Sequence, residues 1–264
     1  MQPLFRIAAI LAICWTAPVL RAERAQDALL AGFEARTFHG ANGVQMPYRL
    51  FVPANYEKNS KYPLVLWLHG AAGRGNDNVQ QISGGSELGS HIWTKPENQA
   101  KFPAFVLAPQ CPNGQFWGRP RDNSPPPQLG IALKILDAIE KEFSIDLDRV
   151  YVAGQSMGGE GTWAAIRYAP GRFAAAVPLC GYLDLEEAPS VVDVPVWIFQ
   201  GEADPIVSVT TAREFVAALK KAFGTARYSE YPGVGHNVWE RAFAEPELVT
   251  WLAKQTRQKH VAAN

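Results

Sequence analysis

A five-residue motif of the form G-x-S-x-G, at residues 154–158, constrains the fold more than any other feature of the sequence. It follows the apolar run Val150–Ala153 and precedes a helical pattern at Met157–Tyr168, which is the strand–turn–helix context that gives this motif its meaning. A turn this sharp needs small residues two positions before and two positions after the serine, and both positions are glycine. The motif therefore predicts that the hydroxyl of Ser156 stands clear of a sheet at the N-terminus of a helix, where developing negative charge is favoured.

The rest of the chain alternates short apolar runs with helical patterns, which is typical of a mostly parallel sheet covered on both faces. The turn signal Asn42-Gly43 separates two N-terminal strands, which we expect to form an antiparallel edge. We therefore predict an α/β fold with about eight strands and helices on both faces. Two longer segments, 74–100 and 109–127, follow strands and are expected to wall a cleft. The predicted strands are Phe33–His39, Val44–Phe51, Leu64–Leu68, Phe102–Ala108, Val150–Ala153, Ala174–Pro178, Pro195–Phe199 and Arg227–Tyr231, and the predicted helices are Gln128–Phe143, Met157–Tyr168, Thr210–Phe223 and Glu245–Gln255.

The N-terminal residues have the pattern of a secretory signal peptide. Arg6 precedes an uncharged run from Ile7 to Leu20, and the small residue Ala22 ends the segment. The run is too short to span a bilayer comfortably, although an uncleaved N-terminal anchor is the alternative interpretation. We predict a signal peptide at residues 1–22, one domain at residues 23–264, and a secreted or periplasmic protein.

Charge and cysteine content argue against several classes of partner. Lys+Arg and Asp+Glu are equal at 25 each, so neither a nucleic acid nor a polybasic membrane contact is indicated. Cys111 and Cys180 follow strands that are not expected to be neighbours, so a disulfide would be out of reach and two buried thiols are predicted. The Cys and His spacings fit no metal site, and no cofactor is indicated. Nothing in the sequence indicates an oligomeric state.

A serine nucleophile needs a base and an acid, which in this kind of fold follow the serine in the order acid, then histidine. His236 and His260 are the histidines that follow Ser156 in the chain. His236 lies in a glycine-rich loop directly after the last predicted strand, whereas His260 lies in a polar C-terminal tail. His236 is therefore the candidate base.

Asp204 is the candidate acid, because it lies where the predicted strand Pro195–Phe199 has ended and the chain turns. A buried carboxylate there would accept a hydrogen bond from the imidazole and fix its tautomer. Asp184, which follows the preceding strand, is the rival carboxylate. Glu202 is expected to be a solvated loop charge.

The backbone N–H groups of Met157 and Ala71 are the candidate oxyanion donors. Met157 follows the serine, and Ala71 lies in a glycine-rich loop after the strand Leu64–Leu68. That loop lacks the G-K-[ST] ending of a nucleotide-binding loop, which argues against a nucleotide. The candidate substrate-binding side chains are Phe116, Trp117, Gln155 and Trp239.

Six stretches that together span nearly the whole chain after residue 22 resemble single-domain esterases of the α/β-hydrolase superfamily, in the group labelled predicted peptidase or polyhydroxybutyrate-depolymerase-like. The resemblance implies an α/β-hydrolase fold, with Ser156 as nucleophile, Asp204 as acid and His236 as base. Two positions depart from it: Gln200 stands where a histidine is commoner, and Glu160 where an aromatic or apolar residue is commoner. The matching stretches are Pro47–Pro53, Tyr62–Gly75, Ala108–Pro112, Gly154–Trp163, Pro195–Val207 and Tyr231–Trp239.

The resemblance implies a secreted serine carboxylesterase that works through an acyl-enzyme and requires no cofactor. Its expected substrates are small-molecule or polysaccharide-linked esters, such as acetyl or feruloyl groups on plant polysaccharide, or short-chain esters. No nucleic acid is expected as a partner, and no membrane after signal cleavage. A serine peptidase of the same fold and a non-catalytic binding module with this fold are the alternatives left open.

Overall fold

A single sheet of eight strands runs through the computed structural model, which describes residues 27–118 and 124–257. The signal peptide predicted at residues 1–22 and the C-terminal His260 lie outside the described residues. Each strand predicted from the sequence has a counterpart in this sheet. The strands are β1 Phe33–His39, β2 Gln45–Phe51, β3 Tyr62–Leu68, β4 Phe105–Pro109, β5 Ile145–Gln155, β6 Ala175–Leu179, β7 Val196–Gly201 and β8 Ala226–Tyr231.

The strand order is β1-β2-β4-β3-β5-β6-β7-β8. β2 pairs antiparallel with β1 and with β4, whereas the other neighbouring pairs are parallel. This arrangement confirms the predicted fold class, a mostly parallel sheet with an antiparallel N-terminal edge. At the turn of that edge, Asn42 (φ 57°) and Gly43 (φ 74°) adopt the left-handed conformations that an Asn-Gly hairpin turn requires.

The described residues contain the four predicted helices, of which Met157–Tyr168 has the predicted ends and the other three have shifted ends, and three further short ones. Two of the short helices lie in the segment 74–100, which the sequence indicated only as an insertion. The last predicted helix, Glu245–Gln255, is shorter in the structure. The helices are α1 Glu87–His91, α2 Pro96–Gln99, α3 Pro127–Glu142, α4 Met157–Tyr168, α5 Val209–Lys221, α6 Trp239–Ala242 and α7 Leu248–Ala253.

Two strands begin three or more residues away from their predicted start. β5 begins at Ile145 rather than Val150, because charged residues alternate with Ile145 and Leu147 and the stretch before Val150 does not form an apolar run. β4 begins at Phe105 rather than Phe102; Pro103 lies between and has no N–H to donate to a neighbouring strand.

Apolar residues pack in two clusters, one on each face of the sheet. Leu64, Leu66 and Leu68 of β3 join one cluster, and the alternating Val65 and Trp67 join the other, as the two-residue period of a strand requires. The first cluster includes buried residues of α3, α4 and α5, and the second includes residues of α6 and α7. Each fully buried Leu or Val contributes about 1.5–3 kcal/mol, so the sheet is a rigid platform for the loops at its edges.

Cys111 and Cys180 are both buried free thiols, in agreement with the prediction. They follow β4 and β6, and strands β3 and β5 lie between. Among the described residues, no helix has the length and apolar character that crossing a membrane requires.

Candidate active site

Ser156 lies at the sharp turn between β5 and α4, with φ 54° and ψ −118°. A positive φ is strained for a serine and persists only where the surrounding structure imposes it. Neighbouring backbone is the cause: a Cβ on Gly154 would lie 2.3 Å from the carbonyl oxygen of Gly158, and one on Gly158 would lie 1.8 Å from that of Leu68. The Ser156 N–H donates to the Leu179 carbonyl of β6 at 2.9 Å. The turn therefore holds the serine at the carboxyl edge of the sheet, as its motif predicts.

Three side chains form a continuous chain of hydrogen bonds at this edge. The Nε2 atom of His236 lies 2.8 Å from Ser156 Oγ, and its Nδ1 atom lies 2.8 Å from Asp204 Oδ2. Because an ionised carboxylate only accepts, Nδ1 carries the proton, and Nε2 is free to accept from the serine hydroxyl. The rival carboxylate, Asp184, is exposed and precedes a 3-10 helix at Leu185–Val191. The structure thus brings together the serine, the histidine and the favoured aspartate.

The Asp204 carboxylate is fully buried, and both its oxygens are occupied. Oδ1 accepts from the backbone N–H groups of Ile206 at 2.8 Å and Val207 at 3.0 Å. Oδ2 accepts from the Gln200 amide at 3.1 Å as well as from His236. A buried charge is tolerated when its lone pairs are satisfied in this way.

The loops that carry the aspartate and the histidine are tied to each other through the backbone. The Ala203 N–H donates to the Val234 carbonyl at 2.9 Å, and the Glu202 N–H donates to the Tyr231 carbonyl at 3.1 Å. These loops follow the neighbouring parallel strands β7 and β8. Their spacing, and with it the distance between carboxylate and imidazole, is therefore set by main-chain contacts.

The candidate oxyanion donors, Met157 and Ala71, follow two other neighbouring strands. Met157 begins α4, and the first N–H groups of a helix have no acceptor within it. Ala71 begins a 3-10 helix after β3, and the ends of β3 and β5 pair at Leu68 and Gly154. Both N–H groups thus belong to the edge of the sheet at which the serine lies.

His69, which the sequence did not single out, holds the loop that contains Ala71. Its buried ring accepts at Nε2 from the Cys111 N–H at 2.9 Å, so Nδ1 donates to the Gly70 carbonyl at 2.6 Å. Burial lowers the pKa of His69 to about 4, which keeps the imidazole neutral. In the sequence, this role is indicated by a histidine directly after a fully buried strand, because a buried polar side chain has to find hydrogen-bond partners inside the protein.

Two of the four predicted substrate contacts are corrected by the structure. Trp117 is fully buried, and its indole N–H donates to the His69 carbonyl at 3.2 Å, so it packs the loop from within. Gln155 is also buried, and its amide donates to the Gly85 carbonyl at 2.7 Å, which anchors the segment 74–100. In both cases tertiary packing turns the side chain inward.

The other two keep part of their surface open. Phe116 is 41% exposed, and the Arg74 guanidinium lies 4.5 Å from its ring centre. The Trp239 ring, partly buried, stands almost perpendicular to the His236 ring at 5.7 Å between centres. These two aromatic side chains are available to flank a substrate.

Within the described residues, one group of three side chains has ligand atoms close enough to suit a metal ion. Cys180, Asp204 and His236 each offer an atom within 4.8 Å of the others. Burial raises the pKa of the Cys180 thiol, however, so it carries no thiolate to act as a ligand. Asp204 and His236 are already hydrogen-bonded to each other. The group therefore does not suit a metal ion, and Cys180 packs against the aspartate and histidine as a neutral thiol.

The fold and the sequence are similar to those of known proteins. The PETase family model, described as PET hydrolase-like, matches residues 131–254, just under half of the chain. The crystal structure of a thermostable esterase matches with a TM-score of 0.82 and 39% sequence identity, and the match covers 87% of this chain and 64% of that one.

Two curated relatives are also similar in sequence. The Arabidopsis thaliana protein named "Probable carboxylesterase SOBER1-like" is 25% identical over 211 residues, which is 72% of this chain and 78% of that protein. The bifunctional acetylxylan esterase/xylanase XynS20E of Neocallimastix patriciarum is 26% identical over 181 residues, which is 69% of this chain but 25% of that enzyme. The chain thus spans less than two thirds of the thermostable esterase and about a quarter of the bifunctional enzyme. The chain therefore has the α/β-hydrolase fold, and its sequence is similar to those of carboxylesterases and of a thermostable esterase.

Proposed function

We propose that this protein is a secreted serine carboxylesterase in which Ser156 is the nucleophile, His236 the general base and Asp204 the acid that orients it. The observation that carries the proposal is the unbroken chain of hydrogen bonds, 2.8 Å from Ser156 Oγ to His236 and 2.8 Å from His236 to the Asp204 carboxylate. Nucleophilic catalysis by a serine requires this order of donors and acceptors.

Acylation begins when Ser156 Oγ attacks the ester carbonyl carbon and gives its proton to His236 Nε2. The carbonyl π electrons move to oxygen, and a tetrahedral oxyanion forms. His236, now an imidazolium stabilised by Asp204, returns the proton to the alcohol oxygen as the C–O bond breaks. Water then repeats the attack on the acyl-serine, with His236 again taking and returning one proton, which frees the carboxylic acid.

The oxyanion is stabilised by the N–H groups of Met157 and Ala71 in this proposal. Met157 is the first residue of α4, so the partial positive charge at the helix N-terminus adds to its N–H dipole. Loss of one oxyanion donor typically costs about 10²–10³-fold in kcat. The reaction as written uses only protein groups and water, so it requires no cofactor.

Acetyl or feruloyl esters of plant polysaccharide, and short-chain esters, are the proposed substrates. Trp239 provides apolar surface beside His236, and Phe116 is an exposed aromatic ring beside Arg74, in the loop after β3 that also carries Ala71. Aromatic surface of this kind suits a phenolic or sugar-linked ester. The similarity to an acetylxylan esterase/xylanase supports the acetyl ester.

The test is hydrolysis of a p-nitrophenyl ester series, methyl ferulate and acetylated xylan by wild type and four variants. Ser156→Ala is expected to lower kcat by about 10⁶-fold, because the nucleophile is lost. His236→Ala is expected to lose a similar factor, and Asp204→Asn about 10⁴-fold, because the wrong imidazole tautomer is favoured. Asp184→Asn makes the same change at the exposed rival carboxylate and should leave kcat within about twofold of wild type.

Two further measurements separate the alternatives. If the protein cleaves peptide p-nitroanilides faster than p-nitrophenyl esters, it is a peptidase of the same fold rather than an esterase. If a fluorophosphonate probe fails to label Ser156 in folded wild type, the serine is not reactive and the protein is a non-catalytic binding module. Equal turnover by wild type and Ser156→Ala would contradict the proposed nucleophile.

The sequence alone supports an exported protein with a single catalytic domain. Residues 1–22 are proposed as a cleaved signal peptide and residues 23–264 as one catalytic domain in the periplasm or outside the cell.

A further inference from the structure

We propose that Gln200 is a positioning residue for the Asp204 carboxylate: its side-chain amide fixes the oxygen that binds His236. This inference rests on the proposed role of Asp204 in ester hydrolysis. It concerns the residue that stands where a histidine is commoner among the esterases that the chain resembles.

The orientation of the Gln200 amide is determined by its surroundings. The side chain is buried at the end of β7, and three oxygens surround Nε2: the carbonyl of Val207 at 2.9 Å, Oδ2 of Asp204 at 3.1 Å and the carbonyl of Gly201 at 3.2 Å. All three are acceptors, so an amide oxygen turned toward them would find no donor. The nitrogen must therefore face the carboxylate.

This contact completes the fixation of the carboxylate. Backbone N–H groups of Ile206 and Val207 bind Oδ1 alone, and they leave the carboxylate plane free to rotate about that oxygen. Gln200 binds the other oxygen, Oδ2, which also accepts from His236 Nδ1. The carboxylate then has one orientation, in which Oδ2 faces the imidazole.

The same amide also spans the loop that carries Asp204. It contacts Gly201 at the start of the loop and Val207 near its end. A glutamine amide does not titrate in the range in which proteins are folded. The titratable groups recorded around Asp204 in the described residues are His236 and the neutral Cys180 thiol. Gln200 thus anchors the carboxylate without adding a charge that would compete for the His236 proton.

The experiment compares wild type with Gln200→Met and Gln200→Glu. Methionine has nearly the same shape without a donor, and glutamate keeps the shape but carries a carboxyl group. Gln110→Glu is the matched control, because Gln110 is equally buried and its amide donates to another aspartate, Asp77, at 2.8 Å. Steady-state kinetics with a p-nitrophenyl ester across pH are combined with the low-field proton NMR resonance of the His236 Nδ1–H.

Gln200→Met is expected to lower kcat by about 10–100-fold with KM within about twofold, and to shift or broaden the low-field resonance, because the imidazole loses a fixed acceptor. Gln200→Glu is expected to lose activity more steeply as the pH rises, since a protonated carboxyl donates to Oδ2 while an ionised one repels it. Gln110→Glu should leave both the resonance and the shape of the pH profile as in wild type. Partial unfolding alone would instead lower kcat by one factor at every pH and leave the resonance of the folded fraction in place.

Folded Gln200→Met with the wild-type kcat, pH profile and low-field resonance would overturn the positioning role. If wild type hydrolyses no ester, the proposed function fails, but the comparison of the resonance between wild type and Gln200→Met still decides the role of Gln200. If Gln200→Glu does not fold, Gln200→Met alone decides it.

Discussion

The buried imidazole of His69 holds the loop after β3 only while it is neutral. Burial lowers its pKa from 6.5 to about 4. The unfolded chain therefore takes up a proton at a pH at which the folded protein resists it, so the stabilisation is complete above about pH 6.5 and is lost as the pH falls toward 4. The shift corresponds to about 3 kcal/mol, at 1.36 kcal/mol for each pH unit.

We therefore predict that wild type loses about 3 kcal/mol more of its free energy of unfolding between pH 7 and pH 4 than His69→Gln does. Glutamine offers a neutral acceptor for the Cys111 N–H that His69 now binds. Urea unfolding at several pH values gives the comparison, and His39→Gln, at an exposed histidine of β1, is the control. If wild type and His69→Gln lose the same free energy of unfolding between pH 7 and pH 4, the prediction is wrong.

Single residues of the site were predictable where their position in the chain order restricts their role. Ser156, Asp204 and His236 each follow a different strand in the order that the resemblance implies, and the structure brings them within hydrogen-bond distance. The inward positions of Trp117 and Gln155 were not predictable, because a side chain in a loop or at the end of a strand points inward or outward according to the tertiary contacts it finds. Both turn inward to bind backbone carbonyls.

The turn between β5 and α4 depends on the absence of a side chain at Gly158. A Cβ there would lie 1.8 Å from the Leu68 carbonyl oxygen, and this neighbour is backbone of the central strand β3 and cannot move aside. Gly158→Ala is expected to cost more than about 3 kcal/mol or to prevent folding. Gly130→Ala in α3 is the control: nothing lies within 4 Å of its Cβ, so the variant should gain about 0.5–1 kcal/mol from helix propensity.

Chemical unfolding of both glycine variants measures this difference, with ester hydrolysis as a second readout. A folded, active Gly158→Ala would show that β3 and the turn separate more easily than their contact indicates. Loss of stability in Gly130→Ala would show that α3 tolerates no added methyl group.

At the level of elements, the sequence predicted what depends on local patterns and missed what depends on neighbours. Apolar runs located the buried strands β3 to β7, and the Asn42-Gly43 turn located the hairpin of β1 and β2. The start of β5 was not predicted because charged residues interrupt its apolar pattern, whereas in the structure Ile145 pairs with Tyr62 of β3. The short helix α1 was not predicted because it is stabilised by tertiary contacts rather than by a local sequence pattern. One such contact is the hydrogen bond from His91 Nε2 to the Leu29 carbonyl at 2.7 Å.

Across the whole molecule, the parallel strands gather the site at one edge of the sheet. Ser156, Asp204 and His236 follow β5, β7 and β8, and all three strands run in the same direction. The carboxyl ends of parallel strands lie on the same side, so residues separated by up to 80 positions along the chain meet there. The topology therefore explains why three separate loops build one site.

The reactivity of the cysteine thiols depends both on the packing of the folded protein and on cleavage of the proposed signal peptide. Cys111 and Cys180 are buried free thiols, and burial raises the pKa of Cys111 to about 12, so neither offers a thiolate to a thiol reagent in the folded protein. The full sequence has three cysteines, and the third, Cys14, lies in the proposed signal peptide. The number of reactive thiols therefore reports both folding and cleavage.

We predict that protein exported from a bacterial host reacts at no thiol with Ellman's reagent when folded, and at two thiols in denaturant. Its intact mass should correspond to a chain that begins at Glu23. Cys111→Ser and Cys180→Ser should each lower the count in denaturant to one, which assigns the thiols. Three thiols in denaturant would mean that the N-terminal segment is retained as an anchor, and rapid reaction of the folded protein would contradict the packing around Cys111 and Cys180.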